Sequence, residues 1–150
     1  SSIPSTYKHL QIRGIGRSTT TGTTSESLFL RLNSDSGANY GRHILYGDGT
    51  SAALGANASA SFMRTYDIPR DSNTSGIFGV AIIDIIDYAN TSKNKTVKFA
   101  SGFDKNASDG YVSLASGVWL NTSAVNSVTL FSEANNLAQY STFALYGIKG

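Results

Sequence analysis

Two segments, one near each end of the chain, constrain its fold more than anything else. Tyr7-Lys8-His9-Leu10-Gln11-Ile12-Arg13-Gly14 and Tyr140-Ser141-Thr142-Phe143-Ala144-Leu145-Tyr146-Gly147-Ile148 both alternate in hydrophobicity. A period of two sends successive side chains to opposite faces of a strand, so each segment is written for a sheet with one dry and one wet face. In the first, Leu10 and Ile12 share one face; His9, Gln11 and Arg13 share the other.

The signal recurs along the chain. Residues 28–33 place Leu28, Leu30 and Leu32 inward and Phe29 and Arg31 outward. Further strands are predicted over residues 39–46, 61–68, 77–87, 96–103, 111–120 and 127–132. The stretch 77–87 is apolar at both parities, which predicts a central strand covered on both sides. Gly47-Asp48-Gly49 tolerates positive φ and predicts a tight reversal. The Ala/Ser/Gly-rich residues 50–60 read as a loop, residues 18–25 as a mobile loop, and residues 133–139 as room for a turn of helix. Eight or nine short, evenly spaced strands with almost no helix signal predict one domain over residues 1–150. Its fold class is all-β: an antiparallel β-sandwich, jelly-roll-like. An immunoglobulin-like sandwich is the alternative, with Trp119 as its core tryptophan but without the usual cysteine pair. A chain of 150 residues can bury such a core unaided.

Composition narrows the chemistry. There is no cysteine, which excludes disulfides, thiolate metal sites and cysteine nucleophiles. An imidazole centre would have to use His9 or His43, the two histidines. Both fall on predicted strands, and no Gly-x-Ser-x-Gly elbow accompanies them. Charged residues make up 15% of the chain, below the roughly 25% of ordinary domains, and Ser, Thr, Gly and Asn fill the gap. Such a weakly charged surface suits a protein that meets other protein. A net charge of +2 is far from the basic balance of a nucleic-acid binder. The longest apolar run, residues 77–86, is too short to span a bilayer and is interrupted by Asp84, so no membrane insertion is expected.

Three constellations carry groups that could form sites. Asp84 and Asp87 are three residues apart, which on a strand sends them to opposite faces and spoils a shared acid/base role. A buried Asp84 would need backbone N–H or arginine partners. Asp104, Asn106, Ser108 and Asp109 form a weak calcium-like loop, but its glycine falls one place late and the bidentate glutamate is missing; Asx turns account for it. N-glycosylation sequons begin at Asn57, Asn73, Asn90, Asn94, Asn106 and Asn121, as expected in a chain so rich in Asn, Ser and Thr. No catalytic residue, cofactor or metal site is expected. Candidate surface or interface contacts are Tyr7, His9, Arg13, Phe29, Arg31, Tyr40, Tyr46, Tyr111 and Tyr146, whose rings and forks suit packing on neighbouring subunits or stacking on sugars.

The stretch Ile3-Pro4-Ser5-Thr6-Tyr7-Lys8-His9-Leu10-Gln11-Ile12-Arg13-Gly14 belongs to a pattern that runs nearly the whole chain. It continues in Phe78-Gly79 to Asp87-Tyr88-Ala89-Asn90-Thr91, and in Phe143-Ala144-Leu145-Tyr146-Gly147-Ile148-Lys149. It resembles a family of small structural proteins encoded by tailed bacteriophages, especially marine ones. The resemblance implies a non-enzymatic virion protein on the external particle surface: a capsid decoration protein, a head- or tail-fibre module, or a tail-tip component. It implies other virion proteins as partners and a homo-oligomer, by analogy a trimer. The alternative is a receptor- or glycan-binding tip that contacts a host-surface glycan. Members of the family carry about one more β-like segment ahead of the Ile-Pro-Ser-Thr-Tyr motif. Residues 7–14 are therefore expected to have an open edge, or to pair with a segment from elsewhere.

Overall fold

The computed structural model describes residues 2–22, 25–106 and 110–150. Its elements are ten strands: β1 (His9–Gly16), β2 (Ser25–Leu32), β3 (Tyr40–Gly47), β4 (Ala52–Ala60), β5 (Met63–Pro69), β6 (Gly79–Ile86), β7 (Lys95–Asp104), β8 (Gly110–Trp119), β9 (Val128–Ser132) and β10 (Thr142–Ile148). They form an antiparallel β-sandwich of unequal sheets. The large sheet runs β10-β1-β6-β7-β8-β3-β4, and the small one runs β5-β2-β9.

The two terminal alternating segments are neighbours. β1 pairs with β10 from His9↔Ile148 to Ile15↔Thr142. On its other side β1 pairs with β6 from Leu10↔Ile85 to Gly16↔Gly79. The open edge expected at residues 7–14 is therefore corrected: β1 has a partner on each side, and β10 takes the edge position.

Period-two patterning decides what is buried. The inner face of the large sheet supplies Leu10, Ile12, Ile83, Ile85, Val97, Phe99 and Trp119, packed against Leu30, Leu32 and Met63 of the small sheet. Gly117 lets the sheets close here, because a Cβ at that position would run into the Met63 thioether. Trp119 is a core residue, as expected. Its indole Nε1–H donates to Asp35 Oδ2 at 2.7 Å, which satisfies its one polar atom.

Charged side chains brace the loops. Arg17 is buried and donates to four backbone carbonyls, those of Asp71, Asn73, Thr74 and Ile77, at 2.7 to 2.9 Å. Lys95, fully buried, donates to the carbonyls of Asn90, Lys93 and Thr122. Burial, and then the Lys93 charge, lowers its pKa. Glu26, 1% exposed, accepts from the Ser18 and Ser132 hydroxyls and the Ala134 N–H, with Arg70 Nε at 3.9 Å. Burial alone would raise its pKa; the Ser132, Thr20, Ser18 and Ala134 hydrogen bonds together outweigh that and hold it near 2.

Four further expectations are corrected. Residues 50–60 hold a strand, β4, not a loop: the reversal at Gly47–Gly49, with Gly49 at φ 92°, folds the chain back onto β3. Residues 133–139 contain no helix; Leu137 instead bridges to Ser18. Residues 18–22 of the loop after β1 are tied to neighbouring segments where mobility was expected: Ser18 is buried with its N–H donating to the Pro69 carbonyl at 2.9 Å, and the Gly22 N–H donates to the Ser72 hydroxyl. Thr23 and Thr24 of that loop lie outside the described residues. Finally, β6 is central but covered on one side only. Gly79, Ala81, Ile83 and Ile85 are buried, whereas Val80, Ile82 and Ile86 are exposed.

Candidate interaction surface

The single covering of β6 follows from sheet size. Three strands pack on the inner side of seven, and no described element packs on the outer side. The ladder registers arrange the outer side chains in rows across the strands. One row reads Thr142–Ile15–Val80–Gly102–Val112–Gly47–Ala52. The next reads Ala144–Arg13–Ile82–Ala100–Leu114–Leu45–Leu54. Apart from Thr142 and Arg13, near one edge, both rows are apolar.

These side chains are held outward by the pleat, so they cannot escape into the core without a register slip that would expose Leu10, Ile83 and Phe99 instead. Leu54 is 80% exposed, Val112 65%, Val80 52%, and Leu45 and Leu114 50% each. Single exposed aliphatics are ordinary; a contiguous two-row patch marks a contact surface. The patch is also contoured. Gly102 and Ala100 make a trough along β7, flanked by a Val80/Ile82 ridge on β6 and a Val112/Leu114 ridge on β8. An open hollow of about 640 Å³ lies between Lys98, Leu114, Leu45 and Leu54.

A third row is polar: Tyr146–Gln11–Asp84–Lys98–Ser116–His43–Ala56. Gln11 Nε2 donates to Asp84 Oδ1 at 2.7 Å, and Arg13 Nε donates to Gln11 Oε1 at 2.6 Å. Asp84 is thus half-buried on the open face, paired there and not in the core.

The candidate contacts divide by location. Arg13 and Tyr146 belong to the outer face, with the Arg13 guanidinium 6.0 Å from the Tyr146 ring centre. His9 is on the same face, and its Nδ1 accepts the Asp87 N–H at 3.0 Å. Asp87 lies just past β6 and is bound by Lys93 and Lys8; those contacts, led by the Lys93 hydrogen bond, lower its pKa. Tyr7 lies over Gly147, where any Cβ would strike its ring. Tyr46 and Tyr111 stack on each other at 5.4 Å, both half-buried.

Two of the set are corrected. Tyr40 is 1% exposed, and its hydroxyl accepts from the Leu32 N–H at 3.1 Å, so it is a core residue. Phe29 does point away from the sandwich core, but Phe62 stacks on it at 4.1 Å and buries it. Arg31 lies beside that cluster, 4.8 Å from the Phe131 ring centre, and donates to the Ser61 carbonyl.

In the calcium-like loop, Asp104 Oδ1 accepts the Asn106 N–H at 2.6 Å, an Asx turn; Ser108 and Asp109 lie outside the described residues. Among the described residues no three His, Asp or Glu side chains cluster to hold a metal ion. His43 stands exposed in the polar row. The outer-face residues Val80, Ile82, Val112, Leu114, Leu45 and Leu54 were missed as candidates. For Val80 and Ile82 the signal was visible as apolar residues at both parities, but it reads equally as a strand buried on both faces.

Comparison with protein-family models, with curated proteins and with solved structures found no match to the chain.

Proposed function

We propose that this chain is a non-enzymatic structural protein of a tailed-bacteriophage virion, acting by protein–protein packing on the particle surface as a decoration or fibre module. The observation that carries the reading is the outer face of the large sheet. Two apolar rows, held outward by a rigid sheet, are what a packing protein presents and what a free-standing soluble domain avoids. The phage resemblance of the segments around Tyr7–Gly14, Gly79–Asp87 and Phe143–Lys149 supplies the setting. The polar turns at Asp35–Gly37 and Asp48–Ser51 are ordered by their own Asx contacts. They leave exposed tips free to vary without cost to the core.

The test is proteomic and structural. Particles of the phage that encodes the chain are purified through a density gradient, and the protein is quantified by mass spectrometry and located by immunogold electron microscopy. Multiple copies per particle at one external location are expected. Absence from purified particles of an expressing phage overturns the reading. Saturable binding of the isolated protein to a host glycan, with no incorporation into particles, replaces it with the receptor-binding alternative.

A further inference from the structure

We infer that the outer face of the large sheet is covered by the same face of a second copy of this chain. The inference rests on the packing reading and names the partner. Three observations select a second copy.

The first is size. Seven strands spaced about 4.8 Å apart, each about eight residues long, give a face about 29 Å by 26 Å, or roughly 750 Å². A stable protein–protein interface takes about 800 Å² from each partner. The face is therefore of the size that one such interface needs.

The second is shape. A two-fold interface must be self-complementary, so one surface has to carry both projections and recesses. This one does. The Val112/Leu114 and Leu45/Leu54 ridges project, while Gly102, Ala100, Gly47 and Ala52 leave recesses between and beside them. A leucine ridge on one copy has a small-residue trough to enter on the other.

The third is charge. The outer positions of the sheet hold two cations, Arg13 and Lys98, and two carboxylates, Asp84 and Asp104. Asp84 lies across from Lys98 in the β6/β7 ladder and accepts a hydrogen bond from Gln11, so its acceptor is supplied within the same copy and the face as a whole carries no net charge. A face with no net charge does not repel its twin, whereas a strongly acidic or basic partner would find no opposing field there.

The measurement is the mass of the full chain in solution by sedimentation velocity across a dilution series. Wild type is expected above the 15.9 kDa monomer. Leu114→Asp and Leu54→Lys are expected to shift it to monomer mass with an unchanged far-UV circular dichroism spectrum. Both side chains point into solvent in the isolated chain, and Leu54 at 80% exposure is the variant least able to disturb folding. Tyr140→Lys, 74% exposed and outside the sheet, is expected to leave the assembly intact. A wild type that is monomeric at every concentration overturns the inference, as does an assembly that both face variants leave undisturbed. The two readings separate cleanly. A monomer found on particles overturns the second-copy inference and keeps the virion reading; an assembly broken by the face variants but absent from particles does the reverse.

Discussion

Individual buried charges hold the loops of this sandwich, and each makes a prediction. Lys95 reaches three carbonyls from three separate chain positions, so Lys95→Met fills the space but strands those acceptors. The expected loss is about 3 kcal/mol, since unsatisfied buried groups cost about 1–3 kcal/mol and more when a charge was involved; urea denaturation measures it. Glu26 makes a pH prediction. Its folded pKa near 2 lies below its ordinary 4.5, so its contribution is fully present above pH 4.5 and is lost as pH falls toward 2. Wild type should lose thermal stability steeply across that window. Glu26→Gln should melt lower at neutral pH and lose less on acidification. A variant with the same acid slope as wild type would remove Glu26 from the account. Neither residue stood out in the sequence. A lysine at the start of a strand and a glutamate in a Ser-rich stretch look solvent-exposed until the loops that cover them are in place.

At the scale of elements, nine of the ten strands were legible, because Leu, Ile, Val and Phe at every second position contrast with their neighbours. β4 was not. Ala52–Ala60 alternates Ala with Leu, Gly, Asn and Ser, so the period carries almost no hydrophobic contrast. Its strand character is borrowed from β3 through the hairpin. That dependence is testable. Asp48 Oδ1 accepts the N–H groups of Thr50 and Ser51 and the Thr50 hydroxyl, and these contacts, led by the Thr50 N–H, hold its carboxyl down to about 2. Asp48→Ala should loosen the turn while leaving the sandwich folded. Amide exchange should quicken selectively in β4, the free edge of the large sheet, while β6 and β7 at its centre stay protected. Uniform acceleration across the sheet would contradict an edge strand held by its turn.

The whole molecule is defined by a mismatch, seven strands against three. One side of the large sheet builds the core; the other carries Val80, Ile82, Val112, Leu114, Leu45 and Leu54 to the surface. Because these groups contribute nothing to the interior, charging one of them should change association far more than stability. Leu114→Asp is expected to alter the monomer's unfolding free energy by less than about 1 kcal/mol, within the usual range for exposed positions. A larger loss would mean that the face is packed within the single chain. The sequence by itself determined nine of the ten strands, the parity of each and the polar turns between them, because these depend on neighbours a few residues away. Only the tertiary structure decided that β1 lies between β10 and β6, and that the second apolar parity of β6 faces outward. Parity states that a strand has two faces and what each carries. Whether a face is covered depends on how many strands reach the opposite sheet, and that is settled by pairings between residues as distant as His9 and Ile148.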